Sequence, residues 1–114
     1  MTPLFYQPPL GGPRRFAAWL NKLRNQSGAY VIRRRSNHEI LYIGESHTGR
    51  LATTIKRHFY KWTDGTGRDH VVLDPSAVEV AVRLTPRTAA VGAQNNLIQR
   101  LRPSENVQGN EDPF

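Results

Sequence analysis

The chain has 114 residues, with 16 Lys plus Arg against 9 Asp plus Glu, a net charge of +7 and a pI of about 10.6. That length predicts one domain with a modest core, and the charge favours a polyanion, nucleic acid before an anionic membrane. The absence of cysteine excludes disulfides, thiolate nucleophiles and Cys-based zinc sites, and no apolar run approaches the roughly 18 residues of a membrane span.

Residues 1–12 carry Pro3, Pro8, Pro9 and a Gly pair, which break regular structure. They predict a flexible N-terminal arm anchored, if anywhere, by Phe5 and Tyr6. The arm lacks an apolar signal core, so a cytoplasmic location is expected. Residues 13–24 predict a helix. Pro13 suits its first position, and Phe16, Trp19, Leu20 and Leu23 fall on one face at i, i+3, i+4 and i+7.

Residues 29–34 and 39–44 predict a β-hairpin. Tyr30, Val31 and Ile32 are strand formers, as are Ile40, Leu41, Tyr42 and Ile43, and residues 34–38 make the polar turn. Alternation places Tyr30 with Ile32 on one face, and Ile40 with Tyr42 on one face of the second strand.

Residues 50–62 predict a second helix after a loop at 45–49. Leu51, Ile55, Phe59 and Trp62 form its buried stripe, and Arg50, Thr54, Arg57 and Lys61 form a second stripe beside it. His58 lies on the border. Such a cationic edge suits contact with phosphate while the other face is buried. Residues 63–76 read as loop. Residues 77–84 alternate Val78, Val80, Val82 and Leu84 against polar positions, a half-buried strand. Thr85 as N-cap and Pro86 at the first position then open a helix to about residue 101. Its core face is Ala90, Ala93, Leu97, Ile98 and Leu101, with Gln94 at the edge. Pro103 stops it, and residues 107–114 form a polar tail. The order of elements predicts an α+β domain over residues 13–106, a small three-stranded antiparallel sheet flanked by helices.

Two short signatures organise the chain, Gly28-Ala29-Tyr30 and, after eleven residues, Tyr42-Ile43-Gly44. With the basic helix that follows, the late helix carrying Leu97-Ile98, and Pro103-x-x-Asn106, they resemble the GIY-YIG nuclease family across residues 28–106, with an added N-terminal helix. Ala29 stands where the family has Ile. The resemblance implies metal-dependent hydrolysis of DNA phosphodiester bonds. In it, Tyr30 and Tyr42 assist the attacking water, a helix arginine stabilises the phosphate charge, and Asn106 braces the site. A single Mg²⁺ or Mn²⁺ held by a glutamate acts as Lewis acid.

Two positions depart from that pattern. Counted without gaps, the arginine falls on Thr54, with Arg50 and Arg57 one turn to either side, and His58 falls where a second catalytic group often sits. Gln94 occupies the position of the glutamate. A neutral amide is a poor ligand for a hard dication, so this chain is expected to be inactive. Gln is the near-isosteric replacement chosen to trap an inactive form; a natural non-cleaving relative is the other origin. Glu45 is a substitute carboxylate. Arg33, His47, Lys56 and Lys61 complete the expected DNA contacts, with a homodimer as one route to specificity. Small domains of this kind occur in mobile elements and phages. The competing readings are a nuclease-like module that binds DNA without cutting and a protein–protein adaptor whose charge only keeps it soluble.

Overall fold

The structure, a computed structural model, describes residues 4–12, 15–59 and 73–101. In chain order its elements are β1 (Leu10–Gly12), β2 (Arg15–Phe16), α1 (Ala18–Asn21), β3 (Gly28–Arg34), β4 (Ile40–Ser46) and α2 (Leu51–Lys56). A 3₁₀ turn (Arg57–Phe59), β5 (Val78–Leu84), a second 3₁₀ turn (Arg87–Ala89) and α3 (Ala90–Leu101) follow. The fold is α+β, with a three-stranded antiparallel sheet in the order β4-β3-β5. No helix among the described residues is long and apolar enough to cross a membrane.

Strand β3 lies in the middle because Ala29, Tyr30, Val31 and Ile32 are apolar on both faces, and all four are fully buried. On one face Tyr30, Ile32, Val78 and Val80 pack with Leu20, Leu23, Leu51 and Ile55. On the other, Ala29, Val31 and Ile43 pack with Leu97, Ala93 and Ile98 of α3. Each fully buried Val, Leu or Ile among them contributes about 1.5–3 kcal/mol of apolar burial, so the sheet is held from both sides. Ala81 is buried for the same reason, although its strand reads as half-buried in sequence.

The signature glycines are set by close approach. A Cβ at residue 44 would meet the Tyr30 ring, and one at residue 28 would meet the Arg83 carbonyl of β5. Gly28 therefore lets β5 lie against β3, and Gly44 leaves room for a tyrosine opposite it.

Several boundaries differ from the sequence expectation. Among the described residues the helix expected over 13–24 is one turn, Ala18–Asn21, because Leu10–Gly12 and Arg15–Phe16 pair as strands, Leu10 with Phe16 and Gly12 with Arg15. Leu20 and Leu23 keep their inward placement, while Trp19 is half-buried and donates its indole N–H to the Pro8 carbonyl at 2.8 Å. The arm residues are tied down as well: Gln7 exchanges backbone hydrogen bonds with Val80 of β5, at 2.9 and 2.8 Å. Ile40 and Tyr42 lie on opposite faces rather than one. The register jumps from Ile32↔Tyr42 to Arg33↔Ile40, leaving Leu41 as an extra residue that reverses the alternation.

The second helix tightens into a 3₁₀ turn at Arg57, and Trp62 lies outside the described residues. Thr85 does not cap the last helix. Its hydroxyl donates to the Pro86 carbonyl at 2.8 Å, and a 3₁₀ turn precedes α3. Leu84, expected inside, is 55% exposed at the last position of its strand.

Candidate functional site

Tyr30 and Tyr42 share one sheet face through the pairs Tyr30↔Gly44 and Ile32↔Tyr42. This diagonal placement stacks their rings, with centroids 6.1 Å apart and planes 20° from parallel. His58, carried by the 3₁₀ turn after α2, completes a triangle. Its ring centroid lies 5.5 Å from Tyr30 and 4.3 Å from Tyr42, and its Nε2 is 2.7 Å from the Tyr30 hydroxyl.

Burial pushes the His58 pKa down from 6.5 to about 3, so the imidazole is neutral at pH 7. A neutral imidazole offers one donor and one acceptor nitrogen. With the proton on Nδ1, Nε2 accepts the phenolic proton of Tyr30, a tautomer assigned from chemistry. Tyr30 is fully buried, His58 is 6% exposed, and the Tyr42 hydroxyl oxygen is buried. The triangle is thus a covered polar cluster, in which a histidine that hardly protonates holds a phenol in place.

A cleft of about 230 Å³ opens beside α2, lined by Glu45, His47, Thr48, Arg50, Thr53 and Arg57 among others. Arg50 precedes the helix, and its backbone N–H donates to Ser46 Oγ at 3.1 Å. Arg57 lies two turns on, so helical spacing aims both guanidinium groups along one flank. Thr54, between them, is buried. His47 Nδ1 faces both Glu45 carboxylate oxygens, at 3.2 and 3.1 Å, which ties that carboxylate to the cleft wall. Thr48 and Thr53 also line the cleft. They were missed in the sequence; the signal for Thr53 was its place one turn before Arg57.

Gln94 is 1% exposed on α3, buried rather than at the edge, and its Oε1 has no hydrogen-bond partner among the described residues. It is carried by the helix on the face away from the tyrosines. An orphaned amide carbonyl is a neutral donor, and a hard dication wants charged oxygens. No group of three His, Cys, Asp or Glu that could hold a metal occurs among the described residues. The described residues around Gln94 therefore do not supply the charged oxygens that Mg²⁺ or Mn²⁺ prefers.

Arg33 is engaged elsewhere. It donates to Glu79 Oε2 at 2.5 Å through both Nε and Nη2, and its guanidinium lies 3.6 Å from the Tyr6 ring centroid. Lys56 donates to Asn21 Oδ1 at 2.7 Å beside the Phe16 ring. Lys61 and Asn106 lie outside the described residues. The structure thus brings Tyr30, Tyr42 and His58 together, gathers His47, Arg50 and Arg57 around the cleft, and sets Arg33 and Gln94 apart from both. No protein-family model matches the sequence, and no curated protein sequence matches it.

Proposed function

We propose that the chain is a GIY-YIG-like domain that binds DNA phosphates in the cleft beside α2, built on an endonuclease plan in which Gln94, across the sheet from the tyrosines, stands in the position of the metal-binding glutamate. The observation that carries this reading is the placement of Arg50 and Arg57 on one flank of the cleft, next to the turn that brings His58 against Tyr30 and Tyr42. Guanidinium groups hold phosphate oxygens by charge-assisted, often bidentate hydrogen bonds. His47 stands at the same mouth.

Three features separate this domain from a working nuclease. Gln94 is neutral, and Thr54 is buried where the resemblance expects an arginine. The Tyr30 and Tyr42 hydroxyls are covered, so a nucleophilic water has no access to either in this conformation. These observations favour binding without cutting for the chain as it stands, with endonuclease activity as the reading for its glutamate form.

The test is plasmid nicking at low salt with Mg²⁺ or Mn²⁺, comparing the unchanged chain with Gln94→Glu, alongside duplex binding by both. Binding by both and nicking by the glutamate form alone supports the arrested nuclease. Binding without nicking by either leaves the binding module and removes the hydrolytic plan. Absence of DNA binding at low salt sinks both and promotes the adaptor.

A further inference from the structure

Charge is distributed unevenly along the chain. Residues 1–63 hold eleven of the 16 Lys and Arg but two of the 9 acids, a net +9, whereas residues 64–114 carry a net −2. Within the basic half, the three consecutive arginines near the β3–β4 turn are engaged. Arg33 meets Glu79, Arg34 meets Glu39 at 3.2 Å, and Arg35 donates to the Ser76 carbonyl at 3.3 Å. Five other cations of that half gather on the turn after α1 and on α2 with its flanks.

The turn after α1 lies along the flank of α2. Ser27 Oγ accepts the Gly49 N–H at 3.1 Å, and the Gln26 carbonyl accepts the Leu51 N–H at 3.1 Å. At the other end of α2, Lys56 donates to Asn21. Asn25, at φ 63°, supplies the left-handed step that turns the chain toward α2, a conformation Asn tolerates better than most residues. Neither residues 21–27 nor residues 46–59 contain Asp or Glu. Lys22, Arg24 and Arg50 are exposed, and Lys56 and Arg57 are half-exposed.

We propose that this two-segment strip is a track for the backbone of duplex DNA, on which Lys22 and Arg24 contact phosphates beyond those held by Arg50 and Arg57. The proposal rests on the DNA-binding reading above and extends it to a part of the chain outside the cleft. Three of the five cations, Arg50, Lys56 and Arg57, span about 10 Å along α2 and its flanks, with Lys22 and Arg24 on the adjoining turn; Glu45 beside them faces His47, and a polyanion complements the net positive charge of the two segments. A duplex carries one charge per roughly 1.7 Å of axis, twice the density of one of its strands. Contacts of this kind set register and orientation without reading sequence.

The test is fluorescence anisotropy of a short labelled duplex across a salt series. Removing one phosphate-binding cation lowers the slope of log K against log salt by about 1. The Lys22→Gln/Arg24→Gln double variant is expected to lower it by about 2, with an unchanged urea midpoint. Arg34→Gln/Arg35→Gln, at the opposite end of the sheet, is expected to leave the slope alone. An unchanged slope in the first variant, or an equal drop in the second, overturns the track while the cleft reading stands. Failure of the unchanged chain to bind duplex at low salt overturns both.

Discussion

The phenol of Tyr30 occupies the space where a side chain on Gly44 would stand. Its Oη, Cζ and Cε1 all lie within contact distance of a Cβ at that position. The two signatures are thus coupled by volume: the tyrosine of the first needs the glycine of the second. Gly44→Ala is expected to destabilise the fold by about 1–3 kcal/mol, the range for overpacking a core. Gly12, where an added Cβ would meet nothing within 4 Å, is the control, and Gly12→Ala should stay within about 0.5 kcal/mol. Urea midpoints of the two variants decide this. Equal midpoints would contradict the coupling.

His58 makes the fold sensitive to acid. Folded, it takes up its proton only near pH 3; unfolded, it does so near 6.5. Between those values the unfolded chain binds the extra proton, so stability is full above pH 6.5 and declines as pH falls toward 3. This group alone contributes a slope of at most about 1.4 kcal/mol per pH unit. Urea unfolding at pH 7, 6 and 5 should show the decline, and His58→Gln should flatten it. Tyr30→Phe removes the partner of a buried nitrogen and should cost about 1–3 kcal/mol at pH 7.

Gln94 provides a test of metal binding that does not depend on cleavage. Gln94→Leu replaces a buried amide whose carbonyl has no partner among the described residues, and is expected to be neutral or stabilising. Gln94→Glu buries a carboxylate instead. Desolvation should raise its pKa, and stability should fall as pH rises through the normal carboxylate range. If that carboxylate recruits a dication, millimolar Mg²⁺ should raise the Tm of the glutamate form and leave the leucine form unchanged. A Tm of the glutamate form that ignores both Mg²⁺ and Mn²⁺ would exclude position 94 as a metal ligand.

Arg33 and Arg50 should separate under mutation although both are basic. Arg33 is bonded to Glu79 and stacked on Tyr6, so Arg33→Gln leaves a part-buried carboxylate without its cation and loosens the arm. Its signature is a lower urea midpoint with an unchanged salt slope of DNA binding. Arg50→Gln, at an exposed cleft edge, should do the reverse, lowering the slope by about 1. A slope change for Arg33→Gln would show that its ion pair opens to admit phosphate.

The sequence by itself determined the hairpin, the α+β class, and the inward stripes of Leu20 and Leu23 and of Leu51 and Ile55; the shared face of the two tyrosines came from the register of β3 against β4. Strand alternation and helical periodicity are local, and each is written in side chains a few residues apart. Only the tertiary structure decided the rest. Pairing of Leu10–Gly12 with Arg15–Phe16 overrode a helical pattern, because strand pairing competes with a short helix for the same backbone groups. The extra residue at Leu41 reversed one face of β4, a register effect that depends on the partner strand. Arg33 and Arg50 look alike in the chain; Glu79, 46 residues away from Arg33, distinguishes them. The burial of the Tyr30–His58 pair and of Gln94 depends on two helices closing over opposite faces of one sheet, and that is a property of long-range contact.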